Sequence, residues 1–164
     1  VKELRKLLER GAEPLTEVPG TGMTPLTAAA QAGQAEAVRL CLAAAPGGAA
    51  AAAKQQFYEG RTALYSAALG GHAEAMGVLL DAGADPNQAD EDGYPPLRVA
   101  ANDLYLPAMR LLLERGADLH LKDSDNRTAA DRAKAGKHAE IVAMLRAAGA
   151  PAVPAEVPGP CSPG

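Results

Sequence analysis

A period of 33 residues runs through this chain. Gly83, Gly116 and Gly149 follow one another at that interval, and so do Gly60, Gly93 and Asn126. His72 and His138 stand two intervals apart. A copy of this length cannot bury an apolar face by itself. Successive copies must stack, each forming the wall against which the next one packs.

Each copy has the same internal order. A polar turn ("EG", "DEDG", "DSDN") leads into a short helix at 24–33, 62–71, 95–104 and 128–137. A longer helix follows in "AEAVRLCLAA", "AEAMGVLLDA", "PAMRLLLERG" and "AEIVAMLRAA". Thr24, Thr62 and Thr128 are placed to cap the short helices through their hydroxyls, and Pro25 and Pro96 suit a first turn whose N–H is unused. Pro95 takes the capping place in the third copy, which predicts a less secure start. Leu79-Leu80, Leu112-Leu113 and Leu40 with Leu42 supply the apolar stripe of the long helices. The glycines at 83, 116 and 149 end those helices in the left-handed conformation. Composition fits close helix packing: aromatics are 3%, yet 48% of residues are hydrophobic because alanine is abundant. Ala29-Ala30, Ala67-Ala68 and Ala100-Ala101 let short helices approach closely.

With those residues in view, the chain resembles the ankyrin-repeat family. "GMTPLTAAAQAGQAEAVRLCLAA" carries the Thr-Pro-Leu signature at 24–26. "GGHAEAMGVLLDAGADPN" carries Gly-His at 71–72 and Gly-Ala-Asp-Pro-Asn at 83–87, and "RGADLHLKD" at 115–123 is a partial third copy. The resemblance covers residues 1–150. It implies an all-α solenoid of stacked helix-turn-helix units with projecting turns, acting as a protein-binding surface. The units divide as a partial first repeat at 1–20, repeats at 21–59, 60–92 and 93–125, a C-terminal cap at 126–150 and a Pro-rich, disordered tail at 151–164.

Departures from the pattern carry their own expectations. "VKELRKLLERG" reads as a long helix whose short partner is absent, with Leu4, Leu7 and Leu8 covered on one side only. Because the chain does not begin with Met, it reads as a piece of a longer protein. Gly60 follows Gly22 at an interval of 38, and the excess over the period falls in "APGGAAAAAKQQFYEG", an extended loop with a short alanine helical turn. Leu104 replaces the inter-helix glycine. A positive φ disfavours leucine, so a different turn is expected there. In the last unit Asp131, Arg132 and Lys134 make the polar outer face of a cap.

The residues offer little chemistry. His72 and His138 lie about 20 Å apart, two stacking distances, and cannot share a metal; hydrogen bonding at the inter-helix turn is their expected role. "DEDG" and "DSDN" lack the twelve-residue calcium pattern and its final Glu, and "PGTG" lacks the lysine of a phosphate loop. Ser66 and Cys41 have no arranged base. We therefore expect no catalytic residue, no metal and no cofactor. The net charge of −4 argues against nucleic acid. No apolar run nears the roughly 18 residues of a membrane span, and two cysteines make no disulfide framework. An intracellular chain, cytoplasmic or nuclear and monomeric apart from its partner, is the expectation.

In the resembled family, partners lie along the concave face, built from turn tips and short-helix residues. Carried over by repeat position, this implies Tyr58, Glu59, Arg61, Glu91, Asp92, Tyr94, Asp125 and Arg127 at the tips. On the short helices it implies Tyr65, Leu69, Arg98, Asn102 and Asp103. Tyrosine and arginine are enriched at binding hot spots. An acidic rim interspersed with arginines suggests a peptide carrying apolar anchors and some positive charge. The leading expectation is a non-catalytic interaction module of a scaffold or adaptor. The alternative is a regulatory or substrate-recruiting domain of a larger enzyme.

Overall fold

The computed structural model describes residues 2–18, 21–135 and 139–149. His138 and the Pro-rich tail at 151–164 lie outside the described residues. Helices follow one another as α1 (Lys2–Glu9), α2 (Pro25–Gln31), α3 (Ala35–Ala44), α4 (Ala49–Lys54), α5 (Ala63–Leu69), α6 (Ala73–Asp81), α7 (Pro96–Asn102), α8 (Leu106–Glu114), α9 (Ala129–Ala135) and α10 (Ala139–Ala147). Among the described residues the fold is all-α, with one isolated bridge between Val18 and Met23.

Two layers result. The short helices stack α2 on α5, α5 on α7 and α7 on α9, while the long ones stack α1 on α3, α3 on α6 and α6 on α8. One core runs between the layers. Its large members, Leu26, Leu64 and Leu97 from short helices and Val38, Met76, Leu79, Met109, Leu112, Ile141 and Leu145 from long ones, are fully buried. Alanines at 30, 67, 68, 100 and 101 are also fully buried, which is how the short helices come so close.

Capping follows the sequence. Thr24 and Thr62 accept the N–H groups of Thr27 and Tyr65, each at 3.1 Å. Thr128 accepts from Asp131 N–H at 3.2 Å, and the Asp131 carboxylate accepts the Thr128 N–H in return at 2.9 Å. Pro95 opens α7 with no side-chain cap. Each cap of this kind stabilises by about 1 kcal/mol, so α7 relies on its packing.

At two positions the structure corrects the expectation. Leu104 has φ 64°, matching Gly33 at 67° and Gly71 at 70°. The turn is the same in all three units. The next residue's N–H closes it onto the fifth carbonyl back, from Gln34 to Ala29 at 2.9 Å, His72 to Ala67 at 3.0 Å and Tyr105 to Ala100 at 3.1 Å. Helix stacking on both sides sets the chain path, and leucine accepts the strain. His72 is the second correction. Its imidazole makes no hydrogen bond among the described residues. It packs over Gly33 and Gly70 instead, and Tyr105 covers Gly71 in the same way one unit on. The rings of His72 and Tyr105, each just after an inter-helix turn, are thus packing wedges between units.

The insertion forms a full short helix rather than a mere turn. Gly47 and Gly48 at φ 84° and 88° reverse the chain, and α4 then packs on α3 and α5, burying Ala52 and Ala53. Ala45, in the place of an exit glycine, leaves α3 in an extended conformation. Helix α1 buries none of its residues completely, and Leu7 is exposed.

Candidate functional site

Three projecting turns share one construction. The first residue's N–H bonds the fifth residue's carbonyl, from Phe57 to Arg61 at 2.9 Å, Asp90 to Tyr94 at 3.3 Å and Asp123 to Arg127 at 2.9 Å. The fourth residue has positive φ: Gly60 69°, Gly93 77° and Asn126 61°. In two of the turns an aspartate fills the centre. Asp90 Oδ1 accepts from Asp92 and Tyr94 N–H at 3.1 and 2.8 Å, and Asp123 Oδ1 from Asp125 and Arg127 N–H, both at 3.0 Å. Where Phe57 replaces the aspartate, Gln56 Nε2 supplies the link, donating to the Gly60 carbonyl at 2.9 Å and to Ala89 of the next turn at 3.3 Å.

The tips are joined to one another. Glu91 N–H donates to the Glu59 carbonyl at 3.0 Å, and Ser124 N–H to the Asp92 carbonyl at 3.2 Å. Three turns therefore form one backbone-linked rail. Along it Tyr58, Glu59, Glu91, Asp92, Asp125 and Arg127 are exposed, with Leu69, Asn102 and Asp103 exposed at the ends of α5 and α7.

Among the residues expected on this face, Tyr65 is the one the structure buries. It is 5% exposed. Burial, and then the neighbouring Asp90 carboxylate, push its phenol up to about 12. It lies under the Arg61 guanidinium, 5.4 Å from the ring centre, because the short helix rotates this position toward the next unit. Arg98 is also largely withdrawn. Its side chain is 13% exposed, stacks on the Tyr94 ring at 3.7 Å and donates to Asp123 at 3.1 Å. Arg61 is half-exposed and pairs with Glu59 at 2.6 Å.

An ion cluster unforeseen from the sequence lies behind the rail. The Asp123 side chain is fully buried and receives Nε of both Arg98, at 3.1 Å, and Arg132, at 3.0 Å; Arg132 also bonds Asp125. Burial by itself would raise the Asp123 carboxyl, but the Arg127 N–H and the two guanidinium groups outweigh it and hold it below its ordinary value. A visible signal existed: Asp90 and Asp123 are one period apart, each opening a turn. The charge balance follows from this cluster. The arginines at 61, 98 and 132 are engaged with carboxylates of their own chain, whereas no cation among the described residues pairs with Glu91 or Asp92. The free character of the rail is acidic at Glu91 and Asp92, and Arg127, exposed one turn further on, is the rail arginine with no carboxylate partner among the described residues.

Stacked pairs of antiparallel helices with a rail of linked turns define a helical repeat array. A family model described as ankyrin repeats in three copies matches residues 2–90, more than half of the chain, and one described as ankyrin repeats in many copies matches 79–133. The chain belongs to the ankyrin-repeat family. It is similar to human SH3 and multiple ankyrin repeat domains protein 1, 40% identical over 97 residues, which is 58% of this chain and 4% of that protein. Human SH3 and multiple ankyrin repeat domains protein 2 is 38% identical over 97 residues, 59% of this chain and 5% of that protein. Protein glp-1 of Caenorhabditis elegans is 33% identical over 89 residues, 54% of this chain and 7% of that protein. The matched stretch is thus a small part of each relative. No described helix is long and apolar enough to cross a membrane.

Proposed function

We propose that this array is a non-catalytic interaction module that binds a protein segment along its concave face. One observation carries the reading: the turns are hydrogen-bonded into a rigid rail whose outward carboxylates, Glu91 and Asp92, have no cation of their own among the described residues. A preorganised acidic edge lowers the ordering cost of binding and steers a basic partner. Tyr58, Glu59, Arg61, Leu69, Tyr94, Asn102, Asp103, Asp125 and Arg127 border the same strip. The ankyrin-repeat relatives support a role in a scaffold or adaptor. Tyr65 and Arg98 serve by holding the rail in place.

The test is affinity enrichment from source-cell lysate, with the chain compared against a Glu91→Lys, Asp92→Lys variant and a Tyr58→Ala variant. Proteins bound through this face are lost with the double variant and weaken as ionic strength rises from low to physiological. Equal capture by all three, insensitive to salt, removes the concave face from consideration.

A further inference from the structure

Resting on the interaction-module reading, a more specific partner chemistry can be read from the first two units. A cleft of about 90 Å³ opens between their tips and short helices, lined by Met23, Phe57 and Leu69 with Gln31, Ser66 and Arg61. A water occupies about 30 Å³ of liquid, so this cleft takes three to four heavy atoms, the size of one valine or leucine side chain. Tyr58, 59% exposed, and Leu69, 38% exposed, stand at it, and Val18, 52% exposed, is hydrogen-bonded through its N–H to the Met23 carbonyl. These three are the larger part of the exposed large hydrophobic residues described. The concave face is therefore apolar at this end and acidic one unit further on.

Arg61 adds a polar constraint. Its Nε–H is shut off from solvent and has no acceptor, while its terminal nitrogen holds Glu59 in a half-exposed pair. An unmet buried donor costs more than an exposed ion pair stabilises. A carbonyl arriving at the cleft thus lets the guanidinium turn from Glu59 and gain a hydrogen bond.

We propose that the cleft seats one valine- or leucine-sized side chain of an extended partner peptide, and that a lysine or arginine of the same peptide meets Glu91 and Asp92. Spacing follows from geometry. Adjacent units are about 10 Å apart, and an extended chain advances about 3.3 Å per residue, which sets the basic residue three positions from the anchor. The backbone carbonyl beside the anchor takes the Arg61 donor.

A displayed library of random 12-residue peptides, selected on the full chain, tests this. Enriched peptides share Val, Leu or Ile three residues from Lys or Arg. Ser66→Leu, which fills the cleft, lowers their affinity at least about tenfold. Leu69→Ala, which widens it, shifts the selected anchor toward Phe. The paired Glu91→Lys, Asp92→Lys change removes the preference for a basic residue but keeps the apolar anchor. Thermal melts establish that each variant is folded. Should Ser66→Leu prove unfolded, the Leu69→Ala shift decides alone. Binding that responds to Glu91 and Asp92 but not to Ser66 or Leu69 overturns the cleft and leaves the concave-face reading standing. Binding indifferent to every variant, or no enrichment at all, overturns both. A dimer in sedimentation that Ser66→Leu dissolves would assign the cleft to a second copy and also overturn the peptide.

Discussion

Replacing the Asp123 carboxylate should release the last unit and little else. Asp123→Asn keeps an acceptor for the Asp125 and Arg127 N–H groups, so the turn retains its two 3.0 Å bonds. It removes the charge that engages Arg98 and Arg132. Breaking a buried pair from one side costs about 3–5 kcal/mol. Here the guanidinium-bearing side chains are 13% and 20% exposed, and water recovers part of the loss. We expect about 2 kcal/mol, which accelerates amide exchange by about thirtyfold. In a stacked array a terminal unit opens by itself, so the effect belongs to α9 and α10. Hydrogen-exchange mass spectrometry reads it directly, with α5 and α6 as internal controls. Acid provides a second axis. Because the folded carboxyl lies below its ordinary 3.8, its stabilisation is present above that pH and is lost as pH falls through the lower folded value. Wild-type α9–α10 should loosen below about pH 4, whereas the loss in the Asn variant should lack this component. Equal acceleration in all helices, or less than threefold in α9–α10, would refute the view that Asp123 ties the last unit on.

Other expectations are simpler. Leu104→Gly relieves a positive φ at a half-exposed side chain and should raise Tm by about 2–4 °C, for a gain near 1 kcal/mol. Gly60→Ala places a Cβ 2.9 Å from the Glu91 nitrogen at φ 69°; it should cost about 1–3 kcal/mol in urea unfolding and break the Glu91–Glu59 link. Cys41 is fully buried and its thiol is pushed up to about 11 by that burial. In a Cys161→Ser background it should react with a disulfide reagent only on unfolding, and rapid native labelling would show that α3 opens readily.

The sequence revealed the array because its signals are local and repeated. Thr24, Thr62 and Thr128 each act within one turn of their own helix, and the glycines end helices through their own φ. Leu104 was misjudged for the complementary reason. Intrinsic preference assigned it to negative φ, but stacking from both neighbouring units fixes the path, and tertiary packing outweighs about 1 kcal/mol of local cost. His72 misled similarly, since its contact, Gly33, belongs to the preceding unit. By the 33-residue period Tyr94 takes the repeat position of Arg61, about one helical turn before that of Tyr65. Whether each ring faces solvent depends on Asp90, Arg61 and Arg98, which reach it from other elements.

Charge on this face illustrates why composition understates the difference between two sides of one molecule. Counting residues gives an acidic rim interspersed with arginines, which suggests a partly basic partner but not which carboxylates are free to meet it. The structure sorts them by reach. Arginines at 61, 98 and 132 have long side chains that fold back onto Glu59, Asp123 and Asp125, the first two lying over Tyr65 and Tyr94. Glu91 and Asp92 sit on the tip, where the backbone bond to the neighbouring turn holds them outward. These three arginines therefore stiffen the rail, and Glu91 and Asp92 address what approaches. Shortening Arg98 to alanine should thus weaken binding through a less ordered rail, while Asp92→Asn should weaken it through charge, and only the second loss should shrink as salt is raised.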